Sequence, residues 1–133
     1  MTTKEREEID VPGAAPALSH YADAVRFGDT LFVSGVVALD TAGNIIGKGD
    51  VVQQTTAIFQ SLEKILAAAG ASFADILKVT VLLIDVEHRT LINPIRQQFF
   101  GTHRPASTLI GVKALALPDI LVEIEAIAGL PNR

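Results

Sequence analysis

Apolar and polar positions along the chain change period several times, and each change marks an element. From Ala24 to Val37 two apolar runs flank Phe27-Gly28-Asp29-Thr30, which predicts a strand, a tight turn and a second strand. Asp40-Thr41-Ala42-Gly43-Asn44 is a further turn signal, followed by a short strand around Ile45 and Ile46. Apolar residues then recur at helical spacing: Val51, Val52, Ile58, Phe59, Leu62, Ile65, Leu66 and Ala69. A helix over 51–69 is expected, with Gly70 as its stop. Between Asp75 and Asp85 the sequence is apolar and β-branched on both faces, the pattern of a central strand over 76–84. A second helix reaches Phe99 and Phe100, with Pro94 limiting its start and Asn93 as its expected N-cap. Strands over 107–113 and 120–128 close the chain, separated by the Leu117-Pro118-Asp119 turn.

The order β-β-(β)-α-β-α-β-β predicts an α+β fold, a mixed sheet packed on two helices. Two helices cover one face of such a sheet. The strands at 76–84 and 120–128 are nevertheless apolar on both faces, so the other face needs a cover that the chain does not supply. A further copy of the chain is the expected cover, and the expected state is an oligomer. Residues 1–133 are read as one domain, with 1–16, rich in charge and then in Pro, Gly and Ala, as a loosely packed lead-in.

Composition narrows the chemistry. No cysteine is present, which removes disulfides, thiolate metal sites and cysteine nucleophiles. Three histidines show no ligand spacing, and no metal site is expected. The net charge is −4, and the eleven Lys and Arg residues form no cluster, which argues against a nucleic-acid partner. Met1 to Asp10 carries charge and no apolar run, and no stretch approaches a bilayer span, so no leader and no membrane partner are expected and a cytoplasmic protein is.

Glu123 and Glu125 are the candidate chemistry. Strand alternation puts both on one face while Val122, Ile124 and Ala126 take the other. Two readings fit: this face is partly wet or each acid pairs with a nearby Lys or Arg, or else one sits in a pocket where burial raises its pKa toward use in proton transfer. His20, beside Tyr21, and Lys113, on the parity of Ser107, could also face such a pocket. His88 and His103 are read as exposed. Ser107 lacks obvious histidine and acid partners for a nucleophilic role.

Several segments, taken in order, resemble the Rid (YjgF-type) family. Val122-Glu123-Ile124-Glu125-Ala126-Ile127-Ala128 is similar to its C-terminal signature and Phe32-Val33-Ser34-Gly35 to its second-strand motif. Tyr21 with Ala24-Val25, Asn93 with Phe99-Phe100, Arg104-Pro105-Ala106 with Thr108 and Val112, and Leu117-Pro118 resemble further family segments, so the likeness spans about residues 17–130. The resemblance implies a chorismate-mutase-like fold, a homotrimer whose sheets form a central β-barrel, and small-molecule pockets between subunits. It implies hydrolysis of reactive imines and enamines to keto acids and ammonia, without cofactor. Carried over by position, Glu123 orients or activates water, and Tyr21, Gly35 and Asn93 line the pocket. The backbone near Thr108 and Leu109 lies beside the substrate.

One departure bears on specificity. The family arginine that grips a substrate carboxylate follows the Pro-Ala pair, and here that position is Ser107. A single hydroxyl in place of a two-pronged cation forfeits roughly 2–5 kcal/mol if the contact is buried. Arg104 does not align with the missing group, Val36 replaces a polar residue, and Arg96 replaces the usual tyrosine of the second helix. An altered substrate is expected, larger (aminomuconate-like) or without a carboxylate. A non-catalytic small-molecule binder on the same scaffold is the alternative, and an endoribonuclease or translation inhibitor is disfavoured by the acidic charge.

Overall fold

The computed structural model describes residues 5–131. Strands β1 (Arg6–Ile9), β2 (Ala24–Phe27) and β3 (Thr30–Val36) precede helix α1 (Val51–Ala68). Strand β4 (Ile76–Leu83), helix α2 (Arg89–Phe100), β5 (Ala106–Gly111) and β6 (Val122–Gly129) follow. The six strands form one sheet in the order β1-β2-β3-β6-β4-β5. Every pair is antiparallel except β4 with β5, which α2 joins as the crossover a parallel pair requires. Among the described residues, no helix is long and apolar enough to cross a membrane.

Both helices lie on one face of the sheet. Leu31, Val33, Val79, Val81, Ile124 and Ala126 meet Ile58, Leu62, Ile65 and Leu66 there, all nearly without solvent contact. A second cluster joins the helices: Phe73 and Phe100 lie edge to face at 5.0 Å, and Phe59 stands 5.2 Å from Phe99. The opposite face is bare. It presents Val25, Phe27, Phe32 and Ile127, and both Phe27 and Phe32 are about half exposed (49% and 48%).

Helix α1 follows its sequence pattern closely. The Asp50 side chain accepts from the Gln53 N–H at 3.1 Å as an N-cap, and Gly70 follows the last turn at φ 76°. Other boundaries depart from expectation. Residues 6–9, inside the segment read as loosely packed, form a strand on β2, and Ile9 and Val11 pack against the core. The short strand near Ile45 reduces to a single bridge between Leu39 and Ile45. Strand β5 ends at Gly111, so Lys113 lies in the following loop, exposed and outside the strand parity expected of it. Helix α2 begins at Arg89, and Asn93 is therefore inside it and not its cap. Pro94 is exposed in the second turn, where its missing N–H leaves the carbonyl four residues earlier without its helical donor.

Candidate functional site

Glu123 is set in place from two sides. Gln54 is fully buried on α1, and its side-chain amide donates to the carbonyls of Gly47 (3.1 Å) and Asp119 (3.0 Å). Its Oε1 accepts from the Leu121 N–H at 2.9 Å, just before β6 begins. Three bonds from one side chain thus fix where the last strand starts and the phase in which its residues alternate. The sequence reading passed over Gln54. Its signal was a polar residue on the stripe formed by Val51, Ile58, Leu62 and Ile65.

On the other side stands Gly35. The β3–β6 register slips between Val33 and Val36, so Ser34 and Gly35 together oppose one residue of β6. A Cβ added at Gly35 would come to 2.7 Å from Cδ of Glu123 and 3.1 Å from its Cγ, closer still to one carboxylate oxygen. The absent side chain is the space the acid occupies. Burial raises the pKa of Glu123 above its ordinary value, and the charge of Glu125 adds to the rise. Glu125, opposite Thr80 on the same face, is exposed. Among the described residues, neither glutamate forms an ion pair, so the reading in which each meets a Lys or Arg does not hold within one chain.

Tyr21 is tied to the same strand. Ser34 donates from Oγ to the Ala22 carbonyl (2.7 Å) and from its N–H to that of Asp23 (3.0 Å). Tyr21 and Gly35 share the wall of a 290 Å³ cavity with Asp23, Val36, Gln60 and Lys64. Glu123 does not line this cavity. The tight fit of Gly35 against Glu123 marks the candidate site better than the cavity's size does, because it fixes an unpaired acid.

The other candidates gather elsewhere. Asn93 and Arg96 share one face of α2, three residues apart. Arg96 Nη2 donates to Ser107 Oγ at 2.9 Å. Ser107 pairs with Val79 and Leu109 with Val81, so both take the helix side of the sheet, and Leu109 packs against the core. Thr108, opposite Thr80, takes the bare side in the same row as Glu125. Two strand spacings and three residues along the strand separate Ser107 from Glu123, about 14 Å between Cα atoms, on opposite faces. One chain therefore holds the candidates in two separate groups, Gly35 with Glu123 and Asn93 with Arg96 and Ser107.

These positions can be set beside known proteins. The family model described as Endoribonuclease L-PSP matches residues 12–130. The chain belongs to the Rid (YjgF-type) family. This Rid protein is 36% identical over 123 residues to a RutC family protein of Pyrococcus horikoshii, covering 92% of this chain and 97% of that one. It is 34% identical over 128 residues to the 2-iminobutanoate/2-iminopropanoate deaminase of Capra hircus, covering 96% and 93% of the two chains. Among solved structures, that of E. coli TdcF with bound serine matches with a TM-score of 0.85 and 32% identity, over 94% of this chain and 99% of that one.

The histidines of the Rid chain stay apart from Glu123. His20 and His103 are exposed. His88, expected to be exposed, is half-buried, with Nε2 3.7 Å from Asp85 and Nδ1 enclosed without a hydrogen-bond partner. It ends the turn that precedes α2.

Proposed function

We propose that this Rid protein hydrolyses small reactive imines or enamines to carbonyl compounds and ammonia, acting in the cytoplasm as a homotrimer whose sheets form a central barrel. The observation that carries the reading is the half-buried, unpaired Glu123 lodged in the space left by Gly35. A carboxylate so placed takes a proton from water as the oxygen adds to the C=N carbon and gives it to the nitrogen, forming a carbinolamine; it then takes the hydroxyl proton and passes it to the nitrogen as the C–N bond breaks, C=O forms and ammonia leaves. Burial that raises its pKa brings the acid and base forms closer to neutrality, as one group serving both steps requires. Tyr21, Gly35, Asn93, Ser107, Thr108 and Leu109 would contact the substrate, and no cofactor enters the balance of imine plus water.

The same geometry supports an assembly of copies. A site needing both groups, each as a half-site, cannot close within one chain, and the bare apolar face offers the surface on which copies meet. Ser107 in place of a cation on β5 predicts a shifted substrate choice. Ammonia release should be measured with 2-iminopropanoate and 2-iminobutanoate generated in solution and with an aminomuconate-type enamine. Turnover above buffer that disappears in Glu123→Gln is expected. A purified trimer inert toward all three would defeat the deaminase reading.

A further inference from the structure

The Arg96 half-site holds a charge that the chain leaves unanswered. The protein has 15 acidic residues against 11 basic ones, yet no carboxylate among the described residues reaches ion-pair distance of Arg96. About two helix turns away, Arg89 is by contrast matched to Glu87 at 3.3 Å. Arg96 is half-buried, and that burial lowers its pKa, so the cation is held where solvation is poor. It is also held in one place. Ile95 and Phe99 pack against the core, Phe99 lies tilted against Phe59, and the guanidinium is tied to Ser107 Oγ. One hydrogen bond to a neutral hydroxyl leaves four of its five N–H donors for something else. Asn93 adds an exposed amide on the same helix face, and β5, as the sheet's edge, has backbone groups on one side without a strand partner.

We infer that Arg96 is the specificity-determining cation of this protein and receives the carboxylate of a small 2-oxo, imino or enamino acid beside Ser107. The fixed fork of a guanidinium suits a bidentate carboxylate, and its pre-organisation by Ser107 limits the entropy lost on binding. Ser107 is then a support for the guanidinium from α2, and the small side chain on β5 leaves the space it enters. The inference rests on the deaminase reading for the identity of the substrate, but its binding claim can be tested without turnover.

The probe is 2-oxobutanoate, with its methyl ester as the neutral control, titrated calorimetrically into the wild-type trimer and into variants. Arg96→Met should weaken 2-oxobutanoate at least tenfold and leave the ester within twofold. Arg96→Lys, which keeps the charge and loses the fork, should fall between. Ser107→Arg placed on the Arg96→Met background should restore the acid, since its guanidinium would enter the same space from β5. Failure of wild type to bind 2-oxobutanoate, equal loss of acid and ester, or an Arg96→Met trimer that merely dissociates would each overturn the assignment. If imine turnover occurs and Arg96→Met leaves KM and Kd alone, this inference falls and the deaminase reading stands. If Arg96-dependent binding occurs and no imine is turned over, the reverse holds.

Discussion

Gly35→Ala separates packing from chemistry better than any other single change. Gly35 lies outside the left-handed region, so alanine meets no backbone strain. The added methyl would lie 2.7 Å from Cδ of Glu123, where carbon atoms normally keep about 3.6 Å. The carboxylate must therefore retreat by about 1 Å. It is the far end of a flexible side chain, so the retreat costs about 0.5–1.5 kcal/mol as an off-rotamer torsion. Replacing glycine where its conformation is ordinary returns about 0.4–1 kcal/mol by restricting the unfolded chain. The two nearly cancel, and Tm should stay within about 4 °C of wild type. Displacing a proton-transfer group by that distance lowers kcat by roughly 100-fold. The assay is imine hydrolysis as a function of pH, with thermal melts on the same samples. The acid limb of the wild-type profile should lie above the ordinary glutamate range, and in Gly35→Ala it should move down as Glu123 swings toward water. Full activity with an unmoved limb would refute the claim that Gly35 sets the position of Glu123.

Three further outcomes follow from the same contacts. Because the folded-state pKa of Glu123 is raised, its ionisation opposes folding, so the penalty is absent below the ordinary glutamate pKa and grows as pH rises through the folded value. Glu123→Gln should melt higher than wild type at pH 8 and equal to it at pH 4; equal melts at both would remove the desolvation. Gln54→Leu strands two carbonyls and one N–H, costing about 3 kcal/mol, or roughly 10 °C in Tm, and a smaller drop than about 3 °C would show that water replaces it. If the half-sites of neighbouring copies combine, Glu123→Gln, inactive alone, and Arg96→Met, impaired at low substrate, should give about a quarter of sites intact when unfolded and reassembled as an equal mixture, and activity above the mean of the two separate samples. No recovery, with mixed trimers shown by mass spectrometry, would place both residues in the same site of one chain or in none.

The elements legible in the sequence are those whose side chains alternate against the core. Helix α1 shows its stripe, cap and stop within one window, and the acids of β6 show their common face because strand parity is local. What stayed hidden depends on partners far along the chain. Strand β1 reads Arg-Glu-Glu-Ile and owes its form to backbone pairing with β2, which leaves no apolar trace. The start of α2 was misplaced because proline signals a boundary locally, whereas the phenylalanine cluster with Phe59 and Phe73 holds the helix through Pro94. The fit of Gly35 to Glu123 needs β3 beside β6, and the bond from Arg96 to Ser107 needs α2 above β5. Glutamate, glycine and arginine were each visible as types, but only the sheet order says which of them meet.

That order also explains why the two groups of candidate residues lie apart within one chain. In the strand sequence β1-β2-β3-β6-β4-β5, Glu123 is central and faces away from the helices, while Ser107 is on the edge and faces toward them. No rotamer change brings groups on opposite faces of a sheet together, because the backbone ladder lies between them. Only at an edge can both faces of one sheet be reached by the same small molecule, and β5 is an edge with a largely exposed surface. A second copy that lays its bare face against that edge would carry its own Glu123 to the first copy's Arg96. An acid that is costly to ionise alone and a cation that is costly to leave unpaired would then face one another across a substrate-sized gap. Direct contact would quench both, and a bound carboxylate with a water between them lets each act. The spacing between copies, more than either residue, is what such a site must hold constant.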